Sequence, residues 1–451
     1  MAETIKPLLL VCSNPVSGHF APCKIIAKVL IDRGYEVTIL TGSQFGPGSE
    51  AIGATFVPLE GYSNFNDSPS GMAEKWPVRE TLQGPAQMIF DMEHMFLNPM
   101  PSQFESVQKA LKLMTDKDPR RPIIIIQDII FTGVFPLLMG APGIKPTAVI
   151  SLGITPIVLS SPDVPPMGSG LFPDSSPEGR ERNQAMHAHM QNGPFLQITQ
   201  LFHHQFEVCG AKNPGLFFLD APYLLPDRVI QLCARSAEYP RTDLPKTLVF
   251  SGGLPKGHRD VVNTTHPSWW DEVTTNASKK RIVFVSQGTV ALNYGDLIIP
   301  TIKAFADHDN TIVIAALGVK GASLPDSVIP KNTYVEDFIP FDDILPYCDV
   351  FITNGGYGGF QHGLSNGVPM VMGGDTEDKP ENCARCEWIG VGVNLKTARP
   401  DAEFLRGEVE KVLSDAKYKK KVEEIKKEME SMDPIGIIET QIKELVKEKS
   451  A

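Results

Sequence analysis

His19 stands in the turn Ser13-Asn14-Pro15-Val16-Ser17-Gly18-His19-Phe20, where an apolar run gives way to residues with helical periodicity. An unperturbed imidazole titrates at about 6.5, close enough to neutrality for this side chain to be a candidate general base. A histidine that only packs at the start of a helix has the same local signature, and the turn alone does not separate the two readings. Asp128 does more, because it follows Ile123-Ile124-Ile125-Ile126-Gln127 and so ends a buried strand at the same edge of a sheet. A carboxylate there orients an imidazole and stabilises its cation. Taken alone, Asp128 reads equally as the N-cap of a helix beginning near Phe131. Together, His19 and Asp128 suggest a catalytic dyad. Gly18 suits a tight turn and a close approach by ligand. The GxGxxG fingerprint is missing, and Val37 to Leu40 leads into Thr41-Gly42-Ser43 rather than an acidic ribose ligand, which argues against a nicotinamide cofactor.

A second group of candidates lies in Thr353-Asn354-Gly355-Gly356-Tyr357-Gly358-Gly359, between the apolar run Val350 to Ile352 and a helical pattern. Glycines at a helix N-terminus expose backbone amides and the positive end of the helix dipole, which suits a phosphate. No Gly-Lys-Ser or Gly-Lys-Thr follows, so this is not a Walker loop. Ser286-Gln287-Gly288-Thr289 closes another apolar run in the same half of the chain. Two small polar turns facing one crevice favour a diphosphate, although each alone also fits a purely structural turn. Cys383 and Cys386 form a CxxC, but they lie inside a helical pattern with no second pair or histidine cluster, so neither zinc nor redox chemistry is expected of them. With no acidic cluster for magnesium, the expectation is chemistry without a metal or other cofactor.

The elements that position these residues are legible in the periodicity. An apolar run at residues 8 to 12, helical spacing over 20 to 33 and a second run from Val37 to Leu40 make a βαβ unit and hence a parallel sheet. Further strands are expected at Ile123 to Gln127, Ala148 to Ser151 and Leu216 to Leu219, with a proline-dense irregular segment near 154 to 178. After a Gly- and Pro-rich stretch the alternation restarts at Arg281 to Ser286. A helix over Leu297 to Ala306, strands at Thr311 to Ala316, Tyr334 to Phe338, Val350 to Thr353 and Met370 to Met372, and a helix over Gly358 to Ser365 complete a second α/β lobe. Asp433-Pro434 reads as an N-cap with proline at the first helical position, and Ile435, Ile438, Ile442 and Leu445 share one face that must dock on something apolar. The predicted organisation is a first lobe over 1–245, a linker over 246–278, a second lobe over 279–432 and a terminal helix over 433–451 that returns to the first lobe.

Composition narrows the function classes. A chain of 451 residues exceeds what one core usually supports, so two lobes and a cleft are expected. The net charge of −11 repels a polyanion, and the lysines from 417 to 427 alternate with glutamates at helical spacing, so nucleic acid is not an expected partner. No run of about 18 apolar residues occurs and the N-terminus has no leader-like stretch, so no integral membrane segment is expected and the chain is placed in the cytoplasm. Seven cysteines, an odd and sparse set, fit reduced thiols. Residues 80 to 101 and 154 to 190, rich in proline and methionine, suggest a roomy apolar pocket, and His187, His189, His203 and His204 read as pocket or surface polarity rather than metal ligands.

The stretch from Asp337-Phe338-Ile339-Pro340-Phe341 through Asn354-Gly355-Gly356-Tyr357-Gly358-Gly359-Phe360-Gln361-His362 to Gly367-Val368-Pro369-Met370 and Asp378-Lys379-Pro380-Glu381-Asn382 resembles the signature box of the family 1 UDP-sugar-dependent glycosyltransferases. The first-lobe Gly-His turn and the strand-end Asp fit the same family. The variant box and the Pro-rich insertions look more like fungal or bacterial members than plant ones. The resemblance implies a GT-B fold, two Rossmann-like doubly wound lobes facing a cleft, with the donor bound by the second lobe and the last helix crossing back. It places Ser286, Gly288, Thr289, Phe338, Ile339, Asn354, Gly356, Gly358, Gly359, His362, Asp378 and Lys379 around the donor. Phe338 stands where the family has a tryptophan stacking on uracil, and Asn354 where many members have a histidine beside the diphosphate. Gly358 and Gly359 replace the usual Asn and Ser, which shifts the phosphate grip onto backbone amides and Thr289. His362 takes the place of a glutamate that holds the ribose hydroxyls. Asp378 and Lys379 fall where the sugar hydroxyls are held, and Lys379 replaces a glutamine, a change compatible with glucose or with an acidic sugar.

What the resemblance implies is inverting transfer of a sugar, glucose first, from a UDP-sugar to a hydroxyl of a small lipophilic or phenolic acceptor, with His19 as base. Two alternatives belong to other classes: a UDP-sugar epimerase on the same fold and a non-catalytic UDP-sugar-binding protein. Incubation with UDP-glucose and a panel of phenols and sterols separates the three by their products.

Overall fold

The computed structural model describes residues 6–82, 84–255, 266–289 and 291–450. Among the described residues, thirteen strands lie in two sheets. The first holds β1 (Leu8–Cys12), β2 (Val37–Thr41), β3 (Thr55–Pro58), β4 (Ile123–Asp128), β5 (Ala148–Gly153), β6 (Arg228–Gln231) and β7 (Leu248–Phe250), in the order β3-β2-β1-β4-β5-β6-β7. The second holds β8 (Arg281–Ser286), β9 (Thr311–Ala316), β10 (Thr333–Glu336), β11 (Val350–Thr353), β12 (Met370–Met372) and β13 (Gly392–Asn394), in the order β10-β9-β8-β11-β12-β13. Neighbouring strands run parallel in both. These are two doubly wound lobes, and a parallel sheet covered on both faces explains why β1 and β4 are unbroken apolar runs rather than alternating ones.

Side-chain alternation sorts each strand between two cores. Leu9, Val11, Ile124, Ile126 and Ile150 face the helix Ser17–Asp32 and the terminal helix Pro434–Ser450, whose Ile435, Ile438, Ile442 and Leu445 complete that core. Leu8, Leu10, Cys12, Ile123 and Ile125 face the opposite way, onto Val107, Leu111 and Met114 of the helix Met100–Lys117. The last helix therefore docks on the first lobe. In the second lobe Phe284, Ile314, Phe351 and Met370 pack under Phe360 and Leu364 of the helix Tyr357–Asn366 and under Val422 and Ile425 of the helix Ala416–Glu430.

Several expectations are corrected. Leu216–Leu219 forms a bend and turn, not a strand, because Pro214 and Gly215 precede it and Phe217, Phe218 and Leu219 pack among Phe195, Phe202 and Phe206 instead of pairing with a neighbour. The strand expected over Tyr334 to Phe338 ends at Glu336, leaving Asp337 and Phe338 in a loop. The span 246–278, read as a linker, contains β7 of the first sheet and the short helix Trp270–Thr275; residues 256–265 lie outside the described residues. The strands β3, β6, β7 and β13 are only three or four residues long, too short for an alternation or an apolar run to stand out in the sequence.

Candidate active site

Helix and strand bring His19 and Asp128 together. His19 sits in the first turn of the helix Ser17–Asp32, which leaves the carboxyl end of β1, and Asp128 is the last residue of β4, the strand paired with β1. His19 Nδ1 lies 3.1 Å from Asp128 Oδ1, with the imidazole 14% exposed and the carboxylate fully buried. Three further donors fix that carboxylate: the Asn14 backbone N–H at 2.6 Å, the Asn14 side-chain amide at 3.2 and 3.3 Å, and the Ile130 N–H at 3.1 Å. The bond to Ile130 is the turn-capping role that the sequence also allowed, so Asp128 serves the turn and the histidine at once. With Nδ1 held on the carboxylate, Nε2 is the ring nitrogen left to face a substrate.

Two residues behind this pair were not singled out in the sequence. Asn14 Oδ1 accepts from Gln103 Nε2 at 2.8 Å, and Gln103 Oε1 in turn accepts from the Gly133 N–H at 2.9 Å. Asn14 and Gln103 are both fully buried. The position of Asn14 two residues after a strand was a usable signal, whereas Gln103 lies on a separate helix and gave none. The expected need for Gly18 is not met by the chain itself: its φ is not positive and a Cβ there would touch nothing within 4 Å. Open space over Gly18 is what a ligand approaching His19 would use.

The glycine turn of the second lobe closes β11 and starts the helix Tyr357–Asn366 with Gly356 at its N-cap. Gly355 takes a φ of +84°, and a Cβ on it would lie 2.6 Å from Cys383 Sγ, so no other residue fits. Asn354 Nδ2 donates to the Gln287 carbonyl at 2.6 Å, tying this turn to the one after β8. Gln287 itself is a buried organiser that sequence reading passed over: its Oε1 accepts from the Leu297 and Ile298 N–H groups at 3.2 and 3.0 Å. Ser286 Oγ accepts from the Gly288 N–H at 3.3 Å, Thr289 is exposed, and so is Gly358. Gly358 and Gly359 lie in the first turn of that helix, four and five residues after Asn354.

Around that turn the other predicted residues fall in distinct environments. Phe338 is 53% exposed, a ring free to stack, while Ile339 is buried and has only its main chain to offer a ligand. His362 Nδ1 lies 2.9 Å from Asp342 Oδ1, so a carboxylate accompanies this imidazole. Lys379 packs its stem over Gly355 and Gly374 and gives its ammonium to Glu377 and, at 3.0 Å, to Thr376. Burial raises the Asp378 carboxyl, whose Oδ2 accepts from Asn382 Nδ2 at 3.1 Å. Burial also pushes the Cys383 thiol up to about 12 and raises the Cys386 thiol well above its ordinary value, which disfavours the thiolate form of both. Among the described residues, no group of three or more His, Cys, Asp or Glu is placed to hold a metal ion.

The two sets of residues share one edge. In the first sheet Asp128 pairs with Leu152 of β5, and Gly153 pairs with Gln231 of β6. Gln231 Nε2 donates to the Tyr357 hydroxyl at 3.0 Å, in the middle of the glycine turn. The Tyr357 side chain therefore meets the first sheet at Gln231 of β6, two strands from β4, which is roughly 10 Å across the sheet at ordinary strand spacing. Over His19 lies an apolar wall: the Phe96 ring is 5.6 Å away, and Phe65, Met72, Trp76 and Met95 pack beside it with Val16 and Ile130.

Residues 300–444 match a family model described as the erythromycin biosynthesis protein CIII-like, C-terminal domain. UDP-glycosyltransferase 2 of Phaeomoniella chlamydospora is 40% identical over 450 residues, covering 99% of this chain and 97% of its own. The chain belongs to the UDP-glycosyltransferase family. UDP-glucosyltransferase A1 of Starmerella bombicola is 37% identical over 98% of this chain and 92% of its own. The two lobes match the GT-B architecture of solved glycosyltransferases. That of kitacinnamycin has a TM-score of 0.70 at 22% identity, covering 97% of this chain and 100% of its own; that of calicheamicin has 0.71 at 15%, covering 98% and 99%. As a UDP-glycosyltransferase, the chain has two parallel-sheet lobes like those of these solved structures. None of the helices among the described residues is long and apolar enough to cross a membrane.

Proposed function

We propose that this UDP-glycosyltransferase moves glucose from UDP-glucose to a hydroxyl of a small lipophilic or phenolic acceptor, with inversion at the anomeric carbon. The observation that carries the reading is the His19–Asp128 contact of 3.1 Å at the sheet edge which the glycine turn also reaches. The first lobe takes the acceptor and the second the donor. His19 Nε2 takes the acceptor proton as the acceptor oxygen forms its bond to the anomeric carbon from the face opposite UDP. The bond from that carbon to the diphosphate breaks, and UDP leaves with the electron pair. Asp128 stabilises the imidazolium so formed. Amides of the glycine turn and the helix dipole receive the charge on the diphosphate, so a metal is not required in this scheme.

A neutral hexose fits the sugar end better than an acidic one, because Glu377 already neutralises Lys379. The relatives' names, two of them UDP-glucosyltransferases of Starmerella bombicola, point to the same donor. The Phe96, Met95 and Trp76 wall beside His19 supports a lipophilic acceptor. Seven unpaired cysteines support a cytoplasmic setting.

Mass spectrometry of products across donor and acceptor panels is the direct test. A glycoside from UDP-glucose is expected; an altered nucleotide sugar without acceptor use would instead mean epimerisation. The anomeric configuration of the product, read by NMR, should be opposite to that of the donor. His19→Ala should abolish transfer while UDP affinity stays nearly intact, and EDTA should leave wild-type turnover unchanged. Full activity in the alanine variant would remove His19 from its role.

A further inference from the structure

The glycine turn of the second lobe and the start of the irregular segment after β5 are joined by polar groups that packing alone does not call for. Tyr357, buried within the turn, reaches across to Gln231 at the end of β6, and the same Gln231 amide donates to the Thr155 carbonyl at 2.8 Å. Two residues further on, the Ile157 N–H donates to Glu238 Oε1 at 3.0 Å and the Ile157 carbonyl accepts from Arg385 Nη2 at 3.0 Å. Arg385 lies on the helix Lys379–Ile389, whose first residue packs over the glycine turn. Its Nε donates to Glu238 Oε2 at 3.0 Å, and its Nη1 bonds the Glu381 carbonyl and Oε2 at 3.2 and 3.1 Å. The other Glu381 oxygen accepts from the Gly168 N–H at 2.7 Å, which ties in the far part of the same segment.

Arg385 and Glu238 are 1% and 3% exposed, and the Tyr239 ring lies 4.3 Å from the guanidinium carbon. Burial opposes the Arg385 charge, but Glu238 and Glu381 outweigh it and keep the pKa raised. A buried ion pair is rarely worth more to stability than well-packed apolar residues, and a phenylalanine ring would fill the space of Tyr357. What the polar groups add is direction. They fix residues 155–157 and 168 of the first lobe against the turn and helix of the second.

We propose that Tyr357 and Arg385 are positioning residues that set the register between the first-lobe segment after β5 and the donor turn, so that an acceptor held by the first lobe is aligned only when both lobes are held together. The inference rests on the transferase reading above. Loss of either contact leaves each lobe's own site intact but lets the acceptor oxygen drift from the anomeric carbon, and attack by water, which needs no acceptor alignment, suffers less.

Tyr357→Phe removes one hydroxyl and keeps the ring, and Arg385→Lys keeps the charge but loses the fork. Each is compared with wild type for UDP affinity by calorimetry, for UDP-glucose hydrolysis without acceptor, and for transfer to the best acceptor of the panel. Misplacement by about 1 Å costs up to about a hundredfold, so transfer kcat is expected to fall roughly tenfold in Tyr357→Phe and more in Arg385→Lys. UDP affinity and hydrolysis should stay within about twofold, so the ratio of transfer to hydrolysis falls with kcat. Equal loss of transfer and hydrolysis, or an unchanged ratio in Tyr357→Phe, would overturn the proposal. Should Arg385→Lys fail to fold, Tyr357→Phe decides alone. Absence of transfer by the wild type to any acceptor would instead remove the reading on which the proposal stands.

Discussion

Asp128 is surrounded by donors that the folded chain had to supply at one point in space. Four groups from two stretches of sequence converge on its two oxygens: His19 and the Asn14 backbone and side chain from the first turn, and Ile130 from its own. This leaves the carboxylate little freedom, and the imidazole inherits that rigidity. Asn14→Ala removes the side-chain bond and leaves Gln103 Nε2 without its partner. A hydrogen bond to a charged group is worth about 1.5–3 kcal/mol, so kcat should fall roughly ten- to a hundredfold with the UDP-glucose KM little changed. The measurement is steady-state transfer at saturating acceptor. A rise in KM with kcat intact would show that Asn14 serves donor binding instead.

At the scale of the element, the four glycines around Tyr357 divide by what a methyl group would meet. Gly355 has a positive φ and Cys383 Sγ against it, so Gly355→Ala distorts the turn at a cost of about 1–3 kcal/mol. Gly358 is exposed, its φ is not positive, and a Cβ there meets nothing within 4 Å. Gly358→Ala should therefore leave thermal stability within about 0.5 kcal/mol of wild type. It should nevertheless weaken UDP by roughly tenfold, about 1.4 kcal/mol, if the proposed diphosphate grip uses the open space over it to reach the helix amides. Calorimetric titration with UDP and a melting curve on the same variant check both parts. Unchanged UDP affinity would move the phosphate away from this helix.

For the whole molecule, the C-terminal helix is as much a part of the first lobe as any helix within it. Ile435, Ile438, Ile442 and Leu445 are buried against β-strand residues such as Ile124, Ile126 and Ile150, and Arg33 pairs with Glu439 at 2.6 Å at the rim. Its chain reaches that site by way of the helix Ala416–Glu430, which packs on the helix of the glycine turn. Ile442→Ala leaves a cavity in the first lobe and should cost roughly 2–5 kcal/mol. The loss should appear as a lowered urea midpoint of the first-lobe transition, with UDP affinity of the second lobe retained. A midpoint within error of wild type would mean that the helix is dispensable to that core.

The sequence determined the long strands of the two lobes, the positions of His19 and Asp128 at strand ends, and the glycine turn, because each is a local pattern. Apolar runs, helical spacing and small residues at strand ends are properties of a few consecutive residues, and both members of the dyad are strand-end or turn residues that need no knowledge of the partner to be noticed. The sequence did not reveal Gln103, Glu238 or Arg385, whose partners lie 89, 147 and 228 residues away in the chain. It also mistook Leu216 to Leu219 for a strand, since an apolar run looks alike whether it pairs with a neighbour or fills a gap between helices. Which buried polar group meets which is a matter of three-dimensional convergence. Only the folded chain decides it, because burying a charge or an amide is tolerable solely where a distant segment arrives to satisfy it.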